Sequence, residues 1–358
     1  MRSTNADAFH SACAIKKGPN LEGCVAQYMG DDGVNICGHY HLITNVLQVQ
    51  HHKEEDPETG LAAYCSVTLR VLTRSTDGTI NIAVQDPIEL MTCTNGCYEQ
   101  HPIVTEIVPD GTITEEEKIL LADQKLCQQL KTNRGGAFST AYQITVRFRV
   151  HDDNRTTTLT EPRIRATIHF GAALSAVTKQ GNNFSITQCT FGSTRSRGVA
   201  IKASHGMITG NTFRKNWGEA VRMAPGYPYW MESGMGRHIT IAHNSIDQCA
   251  SHAIAVYAFQ GDNRTLVPST KGHQNISITN NTIRNSPVLP NILMTSTNKY
   301  TIQNNDCDND GTNCESTAMM GPPTLKRILK EYIENNPNQK LENNTIVTIN
   351  CCGNTNAK

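Results

Sequence analysis

Three aspartates have the type and spacing to do acid–base chemistry. Asp7 stands 24 positions before Asp31 and 25 before Asp32. In a parallel β solenoid that is one turn of chain, and it brings residues onto neighbouring strands about 4.8 Å apart. Asp7, Asp31 and Asp32 are then expected to meet on one face. Carboxylates held together repel, which favours keeping at least one of them protonated. A protonated acid for a leaving oxygen, with a carboxylate to activate water, is the pair that hydrolyses a glycosidic bond. Their separation sets the stereochemistry: about 6.5–9.5 Å leaves room for a water and inverts, while about 5–5.5 Å retains. Alone, Asp31-Asp32-Gly33 is an ordinary turn signal. The one-rung spacing to Asp7 makes it a candidate catalytic centre.

A second constellation lies later in the chain. Arg195-Ser196-Arg197-Gly198 is followed by Trp230-Met231-Glu232-Ser233-Gly234. An aromatic face packs on the apolar face of a pyranose, and Arg and Glu hydrogen-bond its hydroxyls. Trp occurs only twice, and Trp230 stands two residues before an acid.

The elements that must position these groups are read from a repeat. Ile186–Cys189–Phe191, Ile208–Asn211–Phe213, Ile241–Asn244–Ile246, Ile278–Asn281–Ile283 and Ile302–Asn305–Cys307 share one pattern, and Leu21–Cys24 is an earlier copy. The spacing predicts rungs of about 22–25 residues, with longer loops on one side. The Asn positions suit left-handed turns and a stacked ladder. The expected fold is all-β: a right-handed parallel β-helix over 1–45 and 176–358, with a β-rich, barrel-like or sandwich-like insertion over 46–175. Within the insertion, strands are expected at Cys65–Leu72, Thr79–Val84, Gln143–Val150 and Arg163–Phe170. One helix is expected to start at a capping box, Thr114 to Glu117, to bury Ile119, Leu126 and Leu130, and to end at Gly135-Gly136. A second amphipathic helix over 324–335 is expected to cover the carboxyl end of the solenoid.

Composition narrows the function classes. The 32 basic and 32 acidic residues balance, which argues against nucleic-acid and anionic-membrane partners. There is no apolar run of about 18 residues. Thirteen cysteines and six Asn-x-Ser/Thr sequons, at Asn154, Asn183, Asn263, Asn275, Asn280 and Asn343, fit a secretory route. Cys93/Cys97 and Cys351/Cys352 do not make a zinc CxxC pattern. The segment before Asp7 has no signal-peptide character, so further rungs are expected upstream of Met1.

Three stretches together resemble glycoside hydrolase family 110, exo-acting α-galactosidases that cleave terminal α-1,3-linked galactose. They are Asn5-Ala6-Asp7-Ala8-Phe9-His10; Gly30-Asp31-Asp32-Gly33-Val34-Asn35-Ile36 with Gly38-His39-Tyr40; and the segment from Arg195 through Asn211-Thr212-Phe213 to Gly234. Their order and the β-rich insertion between them match that family. The resemblance implies a β-helix, an inverting mechanism, no metal or other cofactor, and a glycan with terminal α-galactose as partner. It implies Asp7, Asp31 and Asp32 as the acidic centre, and His10, Asn35, Arg197, Trp230 and Glu232 as sugar-holding residues. Cys37 stands where the family pattern would place His. A polygalacturonase-like hydrolase would want a Gly-His-Gly about 20 residues after the Asp pair and a later Arg-x-Lys; neither is present. A β-helix lyase would want a calcium-binding acid cluster or a Lys/Arg base. A carbohydrate-binding β-helix without turnover is the alternative from outside the enzymes.

Overall fold

The computed structural model describes residues 5–52, 64–74, 78–92, 96–97, 101–123, 138–149, 161–227, 230–258, 272–286, 288 and 291–308. The chain is all-β with parallel sheets, a β-helix-like architecture. It visits three parallel sheets in turn, six times. Sheet I holds Phe9–Ala12, Val34–His39, Val199–Ile201, Val221–Met223, Ile254–Val256 and Ile292–Met294. Sheet II begins with Asn20–Glu22 and Ser185–Thr187, and sheet III with Val25–Gln27 and Thr190–Gly192.

The repeat positions are the register positions. Leu21, Ile186, Ile208, Ile241, Ile278 and Ile302 pair in series along sheet II. Ala26, Phe191, Phe213, Ile246, Ile283 and Cys307 do so along sheet III. Most of these side chains are buried in one continuous core, which Leu21, Ile302 and Cys307 flank. Stacking like on like lets each coil bury its apolar face on the next.

Between sheets II and III runs an Asn ladder. Each Asn Oδ1 accepts the backbone N–H and the Nδ2–H of the Asn one coil before: Asn244 from Asn211 at 3.0 and 3.0 Å, Asn281 from Asn244 at 3.0 and 2.9 Å, Asn305 from Asn281 at 3.0 and 2.8 Å. One expectation is corrected here. The left-handed residues are those just before the ladder, Gly210, His243, Asn280 and Asn304. The ladder asparagines face inward, because buried backbone groups at the corner need partners.

Among the described residues one antiparallel sheet interrupts the regular coils. It runs in the order Gly96–Cys97, Ile88–Thr92, Ala173–Ala176, His41–His52, Tyr64–Thr73, Thr140–Arg149, Ile103–Thr112. Its first strand starts at His41, so the expected boundary at 45/46 falls inside a strand. Its core of Ile43, Leu69, Val71, Leu90 and Ile144 is separate from that of the coils. Thr79–Val84 is not a strand. Arg163–Phe170 is not one either: Glu161–Thr167 is a helix. Only Ile164 and Ile168 of its apparent alternation are buried, four apart on one helical face, and Arg165 pairs with Glu161 across one turn.

The capping box at Glu115–Asp123 is present. Thr114 Oγ1 accepts the Glu117 N–H at 3.1 Å, and Glu117 Oε2 accepts the Thr114 N–H at 2.9 Å. The buried face is Glu117 and Leu121, whereas Ile119 is exposed. The ion pair of Glu117 with Arg70, 2.7 Å, and its bond from Thr44 turn the helix that way. Leu126, Leu130, Gly135-Gly136 and the helix expected over 324–335 lie outside the described residues.

Candidate functional site

The candidate site is built on sheet I, where the register across the insertion decides which side chains meet. Phe9 pairs with Val34 and Val34 with Val199, then Val199 with Val221 and Val221 with Ile254. Two residues earlier in each coil, the Ala8 N–H bonds the Asp32 carbonyl, the Gly33 N–H that of Arg197 and the Gly198 N–H that of Glu219, so the same register stacks Asp7, Asp32, Arg197 and Glu219 in one column. One residue later it stacks His10, Asn35, Ala200, Arg222 and Ala255. The same register, carried one residue past the Ile201–Ile36 pair, puts Lys202 beside Cys37.

The column needs small residues next to it. A Cβ on Gly33 would lie 2.5 Å from the Gly198 carbonyl oxygen and 2.8 Å from the Phe191 ring; one on Gly198 would lie 2.5 Å from the Phe213 ring. Where sheet III turns from Phe213 to Ile246, this position becomes Ala220.

One oxygen from each of Asp7, Asp31 and Asp32 lies within 4.8 Å of the others. The three are not equivalent. Asp32 is buried and locked. Its Oδ1 accepts the Arg197 backbone N–H at 2.9 Å and lies 2.8 Å from Nε, and its Oδ2 accepts from Nη2 at 2.9 Å. Burial works against charge on Arg197, but Asp32 beside it, together with Glu219, Tyr257 and Asp31, outweighs burial and holds the guanidinium above its ordinary range. Asp7 accepts the Asp32 N–H at 3.1 Å through Oδ1, and His10 Nδ1 lies 3.1 Å from Oδ2. Asp7 and Asp31 keep partial exposure.

A second cluster adjoins the first. Glu232 lies on Glu232–Ser233, a short strand antiparallel to Val34–His39 that pairs Glu232 with His39. Glu232 Oε1 accepts from Asn35 Nδ2 at 3.0 Å, and Lys202 Nζ sits 3.0 Å from Oε2 and 2.7 Å from Asn35 Oδ1. Burial opposes ionisation of Glu232, yet Lys202 and Asn35 hold its carboxyl at about 2. His10 Nε2 is 3.7 Å from Cys37 Sγ. The Asp7 hydrogen bond raises the His10 pKa, and burial raises that of the Cys37 thiol. His10, Cys37 and Glu232 each offer one donor atom within 4.8 Å of the other two, so this trio and the aspartate trio are the two groups able to hold a cation among the described residues.

The insertion holds the Glu232 turn in place. Buried Glu89 accepts from Tyr40 Oη at 2.6 Å and from the Met235 N–H at 3.1 Å. Tyr227 donates to the Gly171 carbonyl, and Tyr40 packs edge-on against Tyr227. Trp230 is 49 % exposed on the same turn, and Gly226 lies against both the Trp230 Cβ and the Glu232 carboxylate.

The structure thus brings Asp7, His10, Asp31, Asp32, Asn35, Arg197 and Glu232 together and sets Trp230 on the turn that carries Glu232. Cys37 joins the site from the position where the family pattern would place His; Lys202 and Glu219 are members that no motif pointed to, Glu219 continuing the charged column. The signal for them was the strand motif Val34-Asn35-Ile36, repeated as Val199-Ala200-Ile201 and Val221-Arg222-Met223. That motif fixes the offset across the insertion. No known protein-family model matches the chain, and no curated protein matches it.

Proposed function

We propose that this protein is a glycoside hydrolase that removes terminal α-linked galactose from glycans without a cofactor, on a β-helix whose coils wind right-handed, as about 98% of parallel crossovers do. The observation that carries the proposal is the meeting of three carboxylates from neighbouring coils, two of them partly exposed. Asp32 is spent on Arg197, so Asp7 and Asp31 divide the acid and base roles. Asp32 and Arg197 position them, because the Asp32 N–H binds Asp7 and the Arg197 pair fixes the turn that carries Asp31. Glu232, Asn35, Lys202 and His10 offer charged and polar partners for sugar hydroxyls, and Trp230 offers an apolar ring. The trio's nearest oxygens lie closer than the about 6.5–9.5 Å of inverting pairs. Inversion therefore requires the attacking water to be held by oxygens other than these nearest ones. Secretion belongs to the same proposal. Asn183 and Asn280 support it as exposed sequons, although both occupy left-handed turns, where Asn is favoured for its backbone.

The test is a panel of nitrophenyl glycosides and de-esterified pectin, with the first-formed anomer read by NMR. Release from the α-galactoside alone, with β-galactose formed first, is the expected result. α-Galactose formed first would make one aspartate a nucleophile. Cleavage of pectin, or binding without turnover, would replace the proposal.

A further inference from the structure

We infer that His10, Cys37 and Glu232 form a binding site for a divalent cation of the zinc class. A nitrogen, a sulfur and an oxygen donor converge there from three different segments. Phe9–Ala12 and Val34–His39 are neighbouring strands of sheet I, and Glu232–Ser233 crosses beside the second. Imidazole and thiolate together favour zinc over magnesium or calcium, which want oxygen donors. The geometry fits a tetrahedral ion. Zn–S of about 2.3 Å and Zn–N of about 2.0–2.1 Å put sulfur and nitrogen about 3.6 Å apart at the tetrahedral angle. The observed Sγ to Nε2 distance is 3.7 Å. The three donor atoms all lie within 4.8 Å of one another, so the Glu232 carboxylate closes onto the ion by a shift of about 1.4 Å or less.

A separate observation points the same way. His10 Nδ1 is 3.1 Å from Asp7 Oδ2. A histidine that gives its Nδ1–H to a carboxylate has its Nε2 lone pair directed outward, and this carboxylate–histidine pairing commonly supports a metal ligand. Here Nε2 is the atom that faces Cys37. Glu232 is supported too. Asn35 and Lys202 engage its oxygens at 3.0 and 3.0 Å, and a carboxylate has about four lone-pair sites, so about two remain, enough for an ion. Charge balances once the neighbours are counted: the cation and Lys202 bring three positive charges, and the Cys37 thiolate, Glu232 and the Asp7 carboxylate behind His10 bring three negative. The thiol proton leaves to solvent as the ion binds. Three protein ligands leave the fourth position for water or another small ligand.

The site stands independently of the glycosidase proposal. Only its consequence rests on that proposal: zinc would take His10 and Glu232 away from the sugar and inhibit turnover.

The experiment is titration of the full chain with cobalt(II), a spectroscopic substitute for zinc, followed by competition with zinc and with no sugar present. The expected result is one cobalt per chain with a thiolate-to-cobalt charge-transfer band in the near ultraviolet that zinc removes. His10→Gln and Cys37→Ser should both abolish the band. Asp7→Asn should weaken zinc binding by about 10–100-fold. If Cys37→Ser does not fold, His10→Gln decides alone, since His10 is half exposed on an edge strand. Absence of the band in the wild-type chain overturns the inference. So does a band that survives His10→Gln, because another of the chain's thiols would then hold the metal.

Discussion

Asp31 and Asp32 are adjacent in sequence, and replacing each with Asn should separate chemistry from architecture. Asp32 is 1 % exposed, and its two oxygens meet two guanidinium nitrogens and one amide of Arg197 at 2.8–2.9 Å. Asp32→Asn leaves Oδ1 as an acceptor but turns an amide NH2 toward Nη2, donor against donor. It also strands the Arg197 charge in a largely buried place. Breaking a buried pair from one side costs about 3–5 kcal/mol. Among the described residues Asp31 makes no comparable pair, and it is partly exposed, so Asp31→Asn should change stability by no more than about 0.5 kcal/mol. In activity the order reverses for the folded fraction: Asp31→Asn should lower α-galactoside turnover by about 10²-fold or more at unchanged stability. The assays are urea unfolding followed by circular dichroism, hydrogen exchange at the Gly33 and Arg197 amides, and nitrophenyl release by the same preparations. The double variant Asp32→Leu/Arg197→Met should recover part of the stability that Asp32→Asn loses, because an apolar pair replaces a buried ion pair at little cost while the Arg197 N–H loses its acceptor. Asp32→Asn within about 1 kcal/mol of wild type would refute the structural role given to Asp32. Full turnover in Asp31→Asn would refute its catalytic role.

Asn244→Ala removes four side-chain hydrogen bonds, to the Asn211 N–H, Asn211 Nδ2, Asn281 Oδ1 and the Ile208 carbonyl; at about 1–3 kcal/mol per stranded buried group it should destabilise by several kcal/mol, and denaturant unfolding should show it costing more than Asn305→Ala at the last described coil. Gly33→Ala should cost about 1–3 kcal/mol by overpacking, because its Cβ would lie 2.5 Å from the Gly198 carbonyl oxygen; an unchanged melting temperature would count against the register. His273 is buried with Nδ1 accepting from the Gly236 N–H and Nε2 donating to the Tyr257 carbonyl, both at 3.0 Å, and burial lowers its pKa from 6.5 to about 4. The unfolded chain takes up this proton as pH falls through 6.5 and the folded chain does not, so its contribution is complete above pH 6.5 and falls by about 1.4 kcal/mol per unit down to about pH 4. Unfolding of His273→Gln should show a shallower slope over that window, and an unchanged slope would remove His273 as the source.

The coils were legible because their signal is strong and local. Ile208, Asn211 and Phe213 reappear as Ile241, Asn244 and Ile246, and the same side chains stack in the structure. The insertion was legible only in outline. Ile164, Ala166, Ile168 and Phe170 alternate like a strand, but Glu161-Pro162 starts a helix, and burial of Ile164 and Ile168 alone makes i, i+4 the effective period. Ile119 failed for a different reason. An apolar stripe was counted along the helix, whereas the buried Glu117–Arg70 pair orients it, and a period of hydrophobicity carries no trace of an ion pair.

The site was half legible for a geometric reason. Asp7 and Asp31 lie one uninterrupted coil apart, so counting residues is enough to bring them together. Arg197 lies 165 residues from Asp32, and across the insertion that count says nothing until a register is known. The register is set by packing. Val34 falls on Val199 because Gly33 and Gly198 can approach the rings of Phe191 and Phe213, and no residue with a Cβ fits either place without a shift. Once that alignment holds, Lys202 follows beside Cys37 and reaches Asn35 and Glu232. The insertion then acts as a scaffold for the same site, since Glu89 on its strand Ile88–Thr92 holds the backbone of Met235, three residues after Glu232. Glycines in the coils and one buried carboxylate in the insertion thus place the charged groups, and neither announces a chemical role in the sequence.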